Sequence, residues 1–445
     1  MQGLAHSPNP CLKEIRSQFV PAMNPDDAHA DTTPRPQTGT SGSLGTTVLK
    51  LQSPAPRPNL IGLSRAELAA HLHAIGTPAD RIQLRVKQLW RWIYVRGCRD
   101  FLQMEDIVGA YRRRLDASFS LIMPSLVSRQ ASVEGTRKYL FRVGGGHEIE
   151  TVYIPEAGRG TVCVSSQVGC TLNCSFCHSG TQALVRNLNA AEIVGQLMAV
   201  RDDFKEWHST PGMPKLEERL VSNVVFMGMG EPLYNFESVR RAALIMMDGE
   251  GIGLSRRRIT VSTAGVVPQI HRVGAEIGCR LAVSLHATTD QLRNRLVPIN
   301  RKWNIEMLLD ALRTHPSLSN ADRILIEYVM LRDVNDSDRD AHRLASLLRG
   351  IPAKVNLIPF NKWPGSGFER SPHSRVARFA DIVHKAGFSA PIRTPRGEDI
   401  MAACGQLKSA TVRERRRRSR SCGDSRRTTG AIDAKAGIPG PANPG

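Results

Sequence analysis

Val162-Cys163-Val164-Ser165-Ser166-Gln167-Val168-Gly169-Cys170-Thr171-Leu172-Asn173-Cys174-Ser175-Phe176-Cys177 runs from a β-rich segment straight into three closely spaced cysteines. The β-branched residues at its start predict a strand over 162–166. The cysteines that follow are spaced C-x3-C-x2-C. A structural zinc site takes four ligands, commonly a C-x2-C pair answered by a distant second pair. Here one compact triplet stands by itself, and His178 is too close to Cys177 to turn back as a fourth ligand. Three thiolates instead suit a cubane iron–sulfur cluster in which three irons are held and the fourth is left open to bind a small molecule. Zinc and plain buried thiols are the alternatives.

Downstream, β-rich runs alternate with helical periodicity. Strands are predicted at 162–166, 221–227, 258–262, 281–285, 323–330 and 354–359, and helices at 189–204, 236–248, 266–276, 304–314, 338–349 and 373–386. Asn189 and Glu192 give the first of these helices its capping-box signature. Six βα units in succession predict an α/β fold with a parallel sheet and helices outside it, either open or curled into a partial (β/α)6 barrel. Chemistry then belongs at the carboxyl ends of the strands. After the second strand stands Gly228-Met229-Gly230-Glu231-Pro232, where glycines allow close backbone approach and Glu231 can receive an ammonium group. Ser262, then Ser284-Leu285-His286, then Asn361 close later strands with groups suited to a ribose, a carboxylate or an adenine edge. Taken singly, each is an ordinary strand terminator or a satisfied polar group. Their succession after the cysteine loop carries the reading.

The chain has 445 residues, with 60 Lys+Arg against 41 Asp+Glu and a formal net charge of +19. Residues 411–427 hold eight arginines against Glu414 and Asp424, so +6 belongs to that stretch and +13 to the rest. A basic body remains, which favours a nucleic-acid partner. Composition divides the chain into a disordered leader over 1–58, a small helical domain over 59–135, a catalytic domain over 136–407 and a disordered Arg-rich tail over 408–445. Met23 is an alternative start. In the helical domain Ser64 and Glu67 open a helix reaching about 73. A second helix over 80–96 repeats Ile82, Val86, Leu89 and Ile93 at 3.6-residue spacing. Its other faces carry Arg81, Arg85, Lys87, Arg91 and Arg96, suited to RNA phosphates, interleaved with Trp90, Trp92 and Tyr94. Those rings either pack the helix onto the body or stack on bases. Short β-rich runs follow at 138–142 and 148–154. No stretch has the length of a membrane span and no secretory signal is visible, so a cytoplasmic protein is expected, with its nine cysteines serving as thiols, ligands or catalysts.

C-x3-C-x2-C after the first strand of a βα barrel resembles the radical S-adenosylmethionine superfamily. The strings KQLWRWIYVRGCRDF (87–101), ETVYIP (150–155), CVSSQVGCTLNCSFC (163–177), MGMGEPL (227–233), SLHA (284–287), VPIN (297–300), EYVML (327–331), NLIPFN (356–361) and RGEDIMAACGQL (396–407) resemble the dual-specificity rRNA/tRNA adenine-C2 methyltransferases. The resemblance spans roughly 60–407. It implies one [4Fe-4S] cluster on Cys170, Cys174 and Cys177, and S-adenosylmethionine held by Gly230, Glu231, Ser262, Ser284, Leu285, His286 and Asn361. It further implies that Cys404 is methylated and carries the methyl group as a radical carbon to adenine. Cys163 then attacks the Cys404 sulfur, leaving a transient disulfide, and Glu150 is the general base for the C2 proton. The implied substrates are adenosine 2503 of 23S rRNA and adenosine 37 of certain tRNAs, with an external electron donor of flavodoxin type. Relatives that methylate adenine C8 share these cysteines. A methylthiotransferase would need a second cysteine triplet, which the sequence lacks. A non-catalytic zinc protein would leave Glu231, Ser262, Asn361 and Cys404 unexplained. Cys11, Cys98, Cys279 and Cys422 receive no role.

Overall fold

The computed structural model describes residues 57–207, 219–316 and 322–409. Almost all of the leader and of the Arg-rich tail expected from composition lie outside the described residues.

Three helices come first. α1 (Arg65–Ala74) opens at the expected box: the Glu67 amide donates to Ser64 Oγ at 3.2 Å and the Ser64 amide to Glu67 Oε2 at 2.8 Å. α2 (Ala79–Tyr94) turns its apolar stripe inward, and with it Trp90, Trp92 and Tyr94, all of them buried. Tyr94 Oη accepts the Gly62 amide at 2.9 Å, and Trp92 donates to Asp106. The stacking role considered for these rings is therefore corrected to packing. α3 (Gly109–Ser118) has no counterpart in the sequence pattern.

Among the described residues one sheet of nine strands follows: β1 (Ser125–Ala131), β2 (Arg137–Val143), β3 (His147–Glu156), β4 (Arg159–Cys163), β7 (Asn223–Phe226), β8 (Ile259–Thr263), β9 (Arg280–Ser284), β10 (Ile324–Met330) and β11 (Ala353–Pro359), with β5 (Gln167–Val168) and β6 (Arg186–Asn187) forming a separate pair. In the nine-stranded sheet, the neighbours run in that chain order. The first three links are antiparallel, whereas β4-β7-β8-β9-β10-β11 are parallel, which gives the six-stranded unit expected. No ladder joins β11 to β1 among the described residues, so the barrel is partial. β1 is exposed at every residue, an edge strand whose mixed sequence carries no alternation to betray it.

β4 stops earlier than the β pattern suggests. Val164 still donates to Val225, but the Ser165 amide is taken by Gln196 Oε1 at 2.8 Å and the Ser166 amide by the Met229 carbonyl at 2.9 Å. The chain peels out of the ladder there and becomes the cysteine loop. Helices α4 (Ala190–Asp203), α5 (Phe236–Met247), α6 (Val267–Arg272), α7 (Asp290–Leu296), α8 (Ile305–Arg313), α9 (Asp338–Leu347) and α10 (His373–Lys385) alternate with the parallel strands. The helix expected over 266–276 changes to a π-helical turn at Val273–Ile277 and ends on Gly278 in the left-handed region. No helix among the described residues is long and apolar enough to cross a membrane.

Candidate active site

Residues from β3, β4, β7, β8, β9, β10 and β11 all line one cavity, so the sheet curves around it. Its roof is the cysteine loop. Gly169 stands at φ +75°, where a Cβ would meet the Ala183 carbonyl oxygen at 2.2 Å, so only glycine allows the turn into Cys170. Cys170, Cys174 and Cys177 line this cavity together. Burial pushes the Cys174 thiol well up, and the neighbouring Cys177 and Cys170 charges push it further. Three thiolates that repel one another in a dry site call for a bound cationic group. No group of three His, Cys, Asp or Glu among the described residues is arranged to hold a single metal ion. Three cysteine thiols on one loop are the donor set that suits a cubane iron–sulfur cluster. His178 is not a fourth ligand: it stacks on Trp363, with ring centroids 4.6 Å apart, and its Nδ1 meets the Gln406 carbonyl.

The strand ends gather as expected. The turn at Gly228–Pro232 presses on the first strand's exit: a Cβ on Gly228 would lie 2.7 Å from the Val164 oxygen, and Gly230 adopts φ +100°. Glu231 is buried, and its carboxylate accepts amides from Leu233 at 3.0 Å and Ala264 at 2.8 Å. Burial outweighs these bonds and raises its pKa to about 7. Ser262, Ser284 and His286 also line the cavity. His286, at φ +58°, accepts the Val329 amide on Nδ1, and burial with the Arg293 charge holds the ring neutral, its pKa lowered to about 3. Leu285 is fully buried away from the lining and participates through its backbone alone: its amide donates to Glu327 and its carbonyl accepts from Arg293. Asn361 lines the cavity, but its amide is engaged at both ends, donating to the Cys404 carbonyl at 3.1 Å and accepting from Arg370 at 3.1 Å.

Arg293 belongs to no motif, yet it organises this end of the sheet. Wholly buried, it donates to the carbonyls of Leu285, Ala264 and Ser284 and to Asn300 Oδ1, pinning the ends of β8 and β9 beneath the loop. Its charge also favours the Cys174 thiolate.

Cys404 lies on a segment without regular structure, Ala402–Ser409, which the cysteine loop straps in place. The His178 amide donates to the Gly405 carbonyl at 2.7 Å, Ser179 Oγ to Leu407 at 2.6 Å and Gln182 Nε2 to Ser409 at 2.8 Å. Cys163 and Cys404 thus line the same cavity as the three loop cysteines. Both are free thiols. Cys163 is buried, and desolvation with the Cys404 charge raises it to about 12. Cys404 is exposed as a residue, yet its thiol on the cavity wall is desolvated and its pKa is raised to about 11. Arg393 is the cation whose charge favours both thiolates.

Glu150, like Leu285, is an expected site residue that the structure keeps out of the cavity lining. Buried on β3, it pairs with Lys138 Nζ at 3.4 Å and accepts the Lys408 amide at 2.7 Å. Burial raises its proton affinity, which Lys138 and the Lys408 amide partly offset.

Comparison with known proteins agrees with this geometry. Residues 164–345 match the Radical SAM superfamily, and residues 58–121 match the ribosomal RNA large subunit methyltransferase N-terminal domain. A curated protein of Paracoccus denitrificans, described as dual-specificity RNA methyltransferase RlmN, is 63% identical over 377 residues, covering 85% of this chain and 96% of its own. One of Cereibacter sphaeroides with the same description is 64% identical over 361 residues, covering 81% and 92%. A radical SAM methyltransferase from Sphaerobacter thermophilus, known from its crystal structure, superposes with a TM-score of 0.72 at 41% identity, covering 79% of this chain and 99% of that one. Fold and cysteine loop together define a radical S-adenosylmethionine enzyme, whose cofactors are a [4Fe-4S] cluster with three cysteine ligands and S-adenosylmethionine. The chain belongs to the RlmN family of dual-specificity RNA methyltransferases.

Proposed function

We propose that this protein methylates carbon 2 of adenosine in 23S rRNA and in tRNA through a methyl group carried on Cys404. The observation that carries the reading is the pair of thiols, Cys163 and Cys404, on the wall of the cavity that the three loop cysteines roof. Cys170, Cys174 and Cys177 hold the cluster, and Glu231, Ser262, Ser284, His286 and Asn361 surround S-adenosylmethionine, with Gly230 and Leu285 giving it backbone. When bound, the cluster supplies the electron that cleaves the sulfonium to a carbon radical. An external one-electron donor, such as a flavodoxin-type protein, replenishes it.

Adenine C2 is an electron-poor aromatic CH and does not attack a sulfonium methyl as a nucleophile. Cys404 avoids the difficulty by accepting a methyl group first and presenting it to the base as a radical carbon. The C2 proton then passes to a base and one electron to the external one-electron carrier. For the proton, Glu150 has the raised affinity a base needs, and serves once Lys408 releases it. Cys163 as thiolate attacks the Cys404 sulfur: the carbon–sulfur bond breaks with its electron pair going to the methylene carbon, which takes up a proton to become the methyl group, while a disulfide forms that an external reductant must reopen to two thiols. Burial holds both thiols high in the resting site, and the Arg393 charge works against it, favouring the Cys404 thiolate that accepts the methyl group and the Cys163 thiolate that later attacks.

Residues 59–135 serve as the RNA-binding part. Arg91 on α2 and Arg113 and Arg114 on α3 are exposed, with no side-chain partner among the described residues, and are suited to phosphates. The test is mass spectrometry of nucleosides from the 23S rRNA and tRNA of a deletion strain and its complemented counterpart. 2-Methyladenosine should vanish from both RNAs and return on complementation. Loss of 8-methyladenosine instead would assign the C8 chemistry.

A further inference from the structure

A second buried carboxyl group faces the two thiols, and neither the cluster, the cofactor contacts nor the proton acceptor accounts for it. Glu327 stands on β10, in register with Ser284 of β9 and Asn356 of β11. It is 4% exposed and lines the cavity with Cys163 and Cys404. Asn356 Nδ2 donates to its Oε1 at 2.9 Å. Oε2 has no hydrogen-bond partner among the described residues. Asn356 itself lines a neighbouring cleft with Arg257, Arg258, Arg280 and Lys354, and that cleft also reaches Cys404. The Glu327–Asn356 pair therefore stands on the wall between a cationic entrance, suited to RNA phosphates, and the chamber where the thiols wait.

The donor from Asn356 fixes Oε1 as an acceptor, which leaves Oε2 as the place for a proton. Burial raises the proton affinity of the group, against Arg393, Asn356 and Lys354. A neutral carboxyl group so oriented offers one acceptor and one donor side by side, and the adenine edge next to C2 offers their complement: the N6 amine donates and N1 accepts. We propose that Glu327, oriented by Asn356, is the residue that selects adenine, with Oε1 accepting from N6 and Oε2–H donating to N1. The inference rests on the reading of the chain as an adenine-C2 methyltransferase. Contact in the plane of the ring leaves its face open to the carbon on Cys404. A hydrogen bond at N1 also draws electron density from C2, which favours addition of an electron-rich, sulfur-bearing carbon radical. Guanine reverses both polarities at this edge and places an amine on C2, so it is refused.

The probe is a fluorescein-labelled RNA stem-loop carrying adenine, 1-deazaadenine or guanine at the target position, titrated by anisotropy into cluster-loaded wild type, Glu327→Gln and Glu327→Leu. Wild type should bind the adenine hairpin about tenfold more tightly than the 1-deazaadenine hairpin, the scale of one neutral hydrogen bond in a desolvated site. Glu327→Gln, whose amide keeps one donor and one acceptor, should retain the preference; Glu327→Leu should bind both hairpins equally while keeping normal iron content. Equal binding of the two hairpins by wild type overturns the proposal without any variant, which matters if Glu327→Leu fails to fold. A full preference in Glu327→Leu also overturns it. Methylation of Cys404 by S-adenosylmethionine without RNA, read on its peptide by mass spectrometry, keeps the two readings apart. Its absence in wild type with the adenine preference intact would sink the carrier reading and leave the selector supported.

Discussion

The parallel strand ends and the strap at Ala402–Ser409 meet on one cavity but are held there by different forces. Ser262 and Ser284 sit in strand ladders, Glu231 and His286 on the turns just beyond β7 and β9, and Arg293 ties two of those strand ends together through backbone carbonyls. The strap has no ladder. Its hydrogen bonds go mainly to the cysteine loop and its neighbours, through His178, Ser179, Gln182, Lys362 and Asn361. The groups proposed to bind and orient thus sit on the side fixed by the sheet, whereas Cys404, the thiol proposed to visit cofactor, base and Cys163 in turn, sits on the side held by a few separable bonds.

The largest effect should come from the loop that both sides share. Cys170→Ala, Cys174→Ala or Cys177→Ala should abolish cluster binding and methylation while leaving most of the fold intact, measured as iron and acid-labile sulfide per chain after anaerobic reconstitution together with far-UV circular dichroism. Normal iron content in any one of them would break the assignment of the roof. Next is the rigid side. Arg293→Leu strands several buried carbonyl oxygens and Asn300 at once, so urea denaturation should show a loss of about 3 kcal/mol or more. A loss under about 1 kcal/mol would mean that the strand ends do not depend on it.

The strap should answer differently. Gln182→Ala removes two bonds to Ser409, at 2.8 and 3.3 Å, and should cost only about 1 kcal/mol. Hydrogen exchange should accelerate across 402–409 and stay unchanged in β8–β10. Uniform acceleration would erase the distinction between the two sides. The smallest effect concerns the Arg-rich stretch. Removal of residues 410–445 keeps the strap's hydrogen bonds to His178, Ser179, Gln182 and Asn361, so catalysis at saturating RNA should persist. RNA binding should weaken mostly at low salt, the slope of log affinity against log salt falling by roughly 0.7 for each single-strand phosphate that the stretch neutralises. Loss of cluster chemistry on this truncation would contradict a purely electrostatic role.

What can be read from sequence follows the same division. Ser64 with Glu67 and Asn189 with Glu192 announce their helices because a capping box is local, and the six parallel strands announce themselves by repetition. The three loop cysteines are adjacent in sequence and need no tertiary knowledge. β1 stays hidden because an exposed edge strand has no buried face to pattern its residues. Arg293 looks like any surface arginine until the carbonyls it serves are seen to converge. Glu150 is expected in the cavity, but its carboxylate is claimed by Lys138 and by a backbone amide 258 residues away in sequence. Glu327 passes as part of an apolar strand, since only register across β9 and β11 sets it beside Ser284 and Asn356.

The central claim is that Cys404 carries the methyl group to RNA and Cys163 releases it. Cys163→Ala should assemble its cluster, acquire the methyl group on Cys404 and attack the base, then stop. Purified variant protein should therefore hold RNA that survives denaturation and can be trimmed by nuclease, and peptide mass spectrometry should place the nucleotide on the Cys404 peptide through a methylene bridge. Release of free methylated RNA at the wild-type rate, or an adduct on any other residue, would contradict the two-thiol account.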